Sequence, residues 1–162
     1  MRTAIPKSSA DRRAMLSTML KALRRQRGLK AADVAGRMGM PLRSYEHFES
    51  GKGRIDVERI HQFAEVLDVD PYGIVLGLEL ASPSFALRCA DNKAGTILLL
   101  ALQDFDAGIG DELRALDPHT LMRHLTEAFD LLGQRARVRR VEVEAWMHDP
   151  AIVGPPRRDE SS

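Results

Sequence analysis

Val34-Ala35-x-x-Met38-Gly39-Met40-x-x-x-x-Tyr45-x-x-Phe48-Glu49-x-Gly51-Lys52 is the stretch that decides the fold of this 162-residue chain. Val34, Ala35 and Met38 recur at helical spacing and give a first segment its inward side. Gly39 ends that segment, supplying a residue that takes φ > 0 without penalty. Pro41 suits the first turn of a second helix, where its missing N–H costs nothing. Tyr45 and Phe48 give this second helix a buried side, and Ser50-Gly51-Lys52-Gly53 closes it. Ala35 is small where two crossing helices must approach. The stretch therefore predicts two short helices meeting across a tight turn.

Working outward, Met15, Leu16, Met19, Leu20 and Leu23 predict a preceding helix that Gly28 stops, and the first helix of the pair runs from Lys30 to Met38. Downstream, Asp56 is a candidate N-cap, with Arg59 where a capping box would place Glu or Gln. The helix from Val57 to Leu67 is expected to bury Ile60, Phe63, Ala64 and Leu67. Asp70 caps a last short helix that opens on Pro71 and carries Ile74, Val75 and Leu76. Five helices thus fill residues 11–78, preceded by a flexible arm over 1–10 and followed by a linker over 79–83 around Ala81-Ser82-Pro83-Ser84. A second helical region spans 84–148, and 149–162 reads as a disordered tail. Asp91 or Asn92 caps a helix through Phe105, apolar nearly all round and so expected to be buried on several sides. Asp117-Pro118 opens another helix, with Leu121, Leu125, Ala128 or Phe129, and Leu132 repeating on one face. It continues through Ala136, Val143 and Trp146 unless the β-branched run Val138–Val143 forms a strand. The expected class is all-α.

Composition narrows the function classes. An apolar fraction of 44% with 29% charged residues is ordinary for a globular protein. The longest apolar run, Ile97 to Leu102, is far short of the ~20 residues that span a bilayer. With no signal-peptide pattern, the expectation is a cytoplasmic, nucleoid-associated protein that engages no membrane. The single Cys89 excludes an intrachain disulfide or a multi-cysteine zinc site and reads as a small buried hydrophobe. His47, His61, His119, His124 and His148 lack metal-ligand spacing. No paired carboxylates, nucleophile–base set or phosphate loop stands out, Gly108-x-Gly110 being too short, so neither an enzyme nor a cofactor is expected. Charge is informative where it is uneven. The net +1 divides into fourteen basic against nine acidic residues over 1–77 and ten against fourteen thereafter; residues 12–54 alone hold eleven against three. A basic block on a short helical segment is the footprint of a polyanion binder.

With the turn, the second helix and the Glu49-x-Gly51-Lys52 exit in hand, the segment resembles the phage-repressor (Cro-like, XRE-like) helix-turn-helix regulators. The resemblance implies a five-helix lambda-repressor-like DNA-binding domain followed by a smaller helical C-terminal domain. It makes helix 41–49 the recognition helix of the major groove. It assigns base contacts to Leu42, Arg43, Ser44, Glu46 and His47, with Arg43 foremost because guanidinium donates twice to guanine. Lys30, Ser50, Lys52 and Arg54 are placed to meet phosphates. Arg24 and Glu49 correspond to a structural ion pair. Two departures leave fewer polar groups for base readout: Ala31 replaces a common glutamine and Pro41 a common serine. Specificity then leans on Arg43, His47 and DNA shape.

One such domain alone generally binds weakly, and residues 84–148 are more apolar than a single exposed surface requires. The expectation is therefore a dimeric repressor of double-stranded DNA, a homodimer through 84–148. Two alternatives remain open. One is an activator whose C-terminal helices touch RNA polymerase or another regulator; the other is an antitoxin-like module that uses those helices to hold a partner protein. The run Arg135-x-Arg137-x-Arg139-Arg140 reads as a solvated face paired with Glu142 and Glu144.

Overall fold

Side-chain caps and first-turn prolines set most helix boundaries in the computed structural model, which describes residues 8–147. Ser8 accepts from the Asp11 N–H and starts α1 (Ser9–Gln26). Asp33 accepts the Lys30 N–H at the start of α2 (Ala31–Arg37). Gly39, at φ +64°, turns the chain into α3 (Leu42–Glu49). Asp56 accepts from the Arg59 N–H and opens α4 (Val57–Leu67); Asp70 accepts from the Tyr72 N–H and opens α5 (Pro71–Glu79). Then come α6 (Pro83–Cys89) and α7 (Ala94–Ile109), a 3₁₀ turn over Gly110–Ala115, and α8 (Pro118–Met147), where Asp117 accepts from the N–H groups of His119 and Thr120. No strand occurs among the described residues, so the fold is all-α.

Two compact units divide after Gly108. In the first, Met19, Leu20 and Leu23 of α1 meet Val34 of α2, Tyr45 of α3, Ile60 and Phe63 of α4, and Ile74 and Leu78 of α5, all essentially without solvent exposure. Phe48 and Phe63 touch edge-on with centroids 6.2 Å apart, a favourable arrangement for ring quadrupoles. In the second, no residue of α8 from Pro118 to Trp146 is buried.

Three expectations change. The helix begins at Ser9, inside the expected arm over 1–10; residues 1–7, like the tail over 149–162, lie outside the described residues. The linker placed at 79–83 falls within the first unit. Glu79 ends α5 in a bidentate pair with Arg12, and Ser82-Pro83 starts α6, whose Ala86 and Cys89, with Ala90 behind them, are buried. Serine and proline there are a cap position and a first helical turn, the same chemistry as Asp70-Pro71. The helix expected to be buried on several sides is α7, yet only Gly95 of it is buried and every residue from Leu100 to Gly108 is exposed. Of the two readings left open for Val138–Val143, the helix holds, within α8.

Candidate nucleic-acid interface

Recognition surfaces need rigid support, and α3 receives it through a network on its buried side. Glu49, its last residue, accepts two bonds from the Arg24 guanidinium, 2.6 Å from Nε and 3.1 Å from Nη2. The same arginine donates to the Leu29 carbonyl at 3.0 Å, and the Tyr45 hydroxyl donates to Glu49 at 2.8 Å. The side chains of Arg24 and Glu49 are only 15% and 7% exposed. One carboxylate thus ties α1, the α1–α2 loop and α3 together. Glu49 holds the Arg24 guanidinium even further above its ordinary range, and burial with the Glu49 carboxylate pushes the Tyr45 phenol strongly upward. Tyr45 is therefore a hydrogen-bond donor throughout the physiological range. The exit from α3 is held differently. Gly51 stands at φ +67°, and a Cβ there would lie 2.3 Å from the Arg13 carbonyl oxygen. Only glycine allows α1 to pass this close.

With Tyr45, Phe48 and Glu49 turned inward, Leu42, Arg43, Ser44, Glu46 and His47 are all exposed. These are the five residues expected to read bases, and all five lie on the solvent side of α3. The side chains of Arg43, Lys52 and Arg54 make no ion pair among the described residues, and Arg43 and Glu46 are not bonded to each other. Ser50 donates to the His47 carbonyl at 2.9 Å, which tightens the end of α3 and leaves its hydroxyl oxygen as an acceptor. Lys30 is exposed at the start of α2.

Between α3 and α4 lies an open concavity of about 650 Å³. Arg43, Ser44, Glu46 and His47 of α3, Ser50 and Lys52 just past its end, and Arg59 of α4 line it, whereas Leu42 does not. Arg59 was absent from the residues expected to bind. A cation in the first turn of a helix opposes the helix dipole, so its presence in place of the capping-box acid was a local signal. Its Nε lies 3.3 Å from the Asp56 carboxylate, and the side chain is 46% exposed. Lys30 and Arg54 do not line this concavity; Arg54 lines a neighbouring one of about 320 Å³ that shares His47 and Arg59.

Among the described residues, no group of His, Cys, Asp or Glu is arranged to hold a metal ion, and no helix is long and apolar enough to cross a membrane. Cys89 is buried, and burial raises its thiol pKa.

Residues 16–72 match the helix-turn-helix domain family. The matched span runs from Leu16 in α1 to the start of α5 and contains α2, the Gly39 turn and α3 entire. The hydrophobic core of the matched span also takes in Ala86 of α6 and Ala90 just after it. No curated protein and no solved structure gave a significant match to the chain.

Proposed function

We propose that this protein is a sequence-specific DNA-binding transcription regulator of the phage-repressor (XRE-like) type, acting as a dimeric repressor on the bacterial nucleoid. The observation that carries the reading is the exposed face of α3. Arg43, Glu46 and His47 stand clear of the core on a helix inside a matched helix-turn-helix domain, and Lys52 and Arg59 flank them. A helix of this width fits the major groove, where Arg43 would donate to guanine O6 and N7 and Leu42 would touch a thymine methyl. Ser50, Lys52, Arg54 and Lys30 sit beyond the ends of the helix-turn-helix pair, where the phosphate strands run, and Arg59 joins them. The reading requires neither cofactor nor catalysis.

The repressor assignment follows from occupancy: a dimer covering two half-sites about one helical turn apart obstructs a promoter. Exposed apolar residues on α7 and α8 favour a protein partner for the C-terminal helices; a second copy is the partner proposed here. RNA polymerase contact and an antitoxin-like partner are the alternatives.

Selection of bound duplexes from a random pool, followed by titration at several salt concentrations, tests the reading. Arg43→Ala should cost about 1–3 kcal/mol on the selected sequence and little on unrelated DNA. Lys52→Ala should weaken every sequence and flatten the salt dependence by about one counterion. Selection that enriches no sequence above the pool would overturn the proposal, and an equal loss on all sequences for Arg43→Ala would remove that residue from base reading.

A further inference from the structure

The first turn of α7 is fastened to the helix-turn-helix domain by a carboxylate that already has another task. Asp70 is 1% exposed. It caps α5 through the Tyr72 N–H at 3.1 Å and also accepts from the Gly95 N–H at 2.6 Å, the Thr96 N–H at 3.2 Å and the Thr96 hydroxyl at 2.6 Å. One buried anion therefore sits at the N-terminal ends of two helices, where both sets of unpaired N–H groups favour it. The fit is close: a Cβ on Gly95 would lie 2.4 Å from the Gly73 nitrogen. Two ion pairs flank the joint, Arg27 with Asp91 at 2.7 Å and Lys93 with Asp68 at 2.9 Å.

Beyond this anchor α7 is uncovered. Ala94 to Gln103 contains no charged residue, yet Ile97, Leu98, Leu100 and Leu102 are 42–59% exposed. Fifteen of the eighteen exposed large hydrophobics of the described chain lie between Ile97 and Trp146. The five on α7 itself, Ile97, Leu98, Leu100, Leu102 and Phe105, supply at roughly 100 Å² each about 500 Å² per copy, so a pair reaches the roughly 1,000 Å² at which a specific interface begins. Two-fold pairing sets one further condition, because residues near the axis meet their own copies. Any charge there faces its like, at a cost. The uncharged first ten residues of α7 meet this condition, whereas the apolar stripe of α8 is interrupted by Arg139 and Arg140.

We propose that α7 packs against α7 of a second copy as the two-fold seam of the dimer. We infer further that the Asp70 anchor makes the separation of the two recognition helices, and hence the operator spacing, a fixed property of the chain. This rests on the dimeric DNA-binding reading above. Recognition helix and seam belong to one compact unit, and the Asp70 anchor is the joint through which the seam would transmit its geometry to the DNA.

The test uses full-length protein in three forms. Light scattering at micromolar concentration should give wild type twice the 18.0 kDa chain mass and Leu102→Arg the chain mass alone. Gly95→Ala keeps α7 helical, since alanine favours helix over glycine, but forces it off its seat. That variant should remain a dimer. On palindromic duplexes built from the selected half-site with varied spacing, wild type should prefer one spacing by about tenfold, and Gly95→Ala should lose most of that preference. Thr96→Val, which removes only the hydroxyl bond to Asp70, replaces it should Gly95→Ala not fold. A wild-type monomer overturns the dimeric reading together with the seam. A Leu102→Arg dimer overturns the seam alone. Unchanged spacing preference in a dimeric Gly95→Ala, or in Thr96→Val where that stands in, overturns the role of the anchor.

Discussion

α4 and α8 carry apolar stripes of the same kind and meet opposite fates. On α4, Ile60, Phe63, Ala64 and Leu67 recur every three or four residues, and all four are buried. On α8, Leu125, Phe129 and Leu132 recur at the same spacing, and each is more than half exposed. Periodicity alone states that a helix has an apolar face; it does not state what covers that face. In α4 the cover comes from α1, α2, α3 and α5 of the same chain. In α8 no residue from Pro118 to Trp146 is buried, although thirty residues of helix depend on packing more than on intrinsic propensity.

Two phenylalanines sharpen this contrast most. Phe63 is fully buried and Phe129 is 53% exposed. Phe63→Ala should cost about 3–5 kcal/mol in denaturant unfolding of the first unit, while Phe129→Ala should leave that transition within about 0.5 kcal/mol. A comparable loss from both would show that α8 contributes to the same cooperative core and would erase the distinction.

A glycine pair separates the regions next. Gly51 and Gly110 both have positive φ, +67° and +52°. A Cβ at Gly51 meets the Arg13 backbone, whereas one at Gly110 meets nothing within 4 Å. Gly110→Ala should cost only the backbone strain, about 1 kcal/mol. Gly51→Ala adds a clash with main chain that cannot swing aside, for a total of about 2–5 kcal/mol. It should also impair DNA binding, because the displaced loop carries Ser50 and Lys52. Thermal melts and duplex titrations of the two variants read the difference.

The smallest effect concerns acid. Hydrogen bonds from Arg12 hold the Glu79 carboxyl below its ordinary range, outweighing the opposing effect of desolvation. A folded-state pKa below the unfolded one means that the pair's contribution is complete above the usual glutamate range. It is lost as pH falls through the lowered value. Both side chains are partly solvated, at 31% and 56% exposed, so the contribution is below about 1 kcal/mol. Glu79→Gln should lower stability slightly at neutral pH and flatten the acid limb of a pH-dependent melt. An unchanged acid limb would mean that the ends of α1 and α5 need no ion pair to stay together.

What could be read from the sequence was what depends on neighbours along the chain. Asp56 and Asp70 are followed at once by the N–H groups they cap, and Gly39 stands where two apolar patterns change phase. The helix bounds Val57–Leu67 follow from such signals, as does the inward turn of Tyr45 and Phe48 that leaves Arg43 and His47 exposed, whereas the buried place of Glu49 came only with the family resemblance. Tertiary structure decided what joins residues far apart. Asp70 reads locally as the cap of one helix, and only folding brings Gly95, 25 residues later, to its second oxygen and the Thr96 hydroxyl, 26 residues later, to the oxygen that already caps α5. Ser82-Pro83 reads by composition as linker, and the burial of Ala86 and Ala90 in the core makes it the start of a helix instead. Arg59 looked like half of a failed cap until α4 packed beside α3 and placed it across from Arg43. The physical reason is the same in each case. Caps, turns and apolar periods act over one turn of helix, whereas the second partner of a buried carboxylate, or the cover on an apolar face, is chosen by packing.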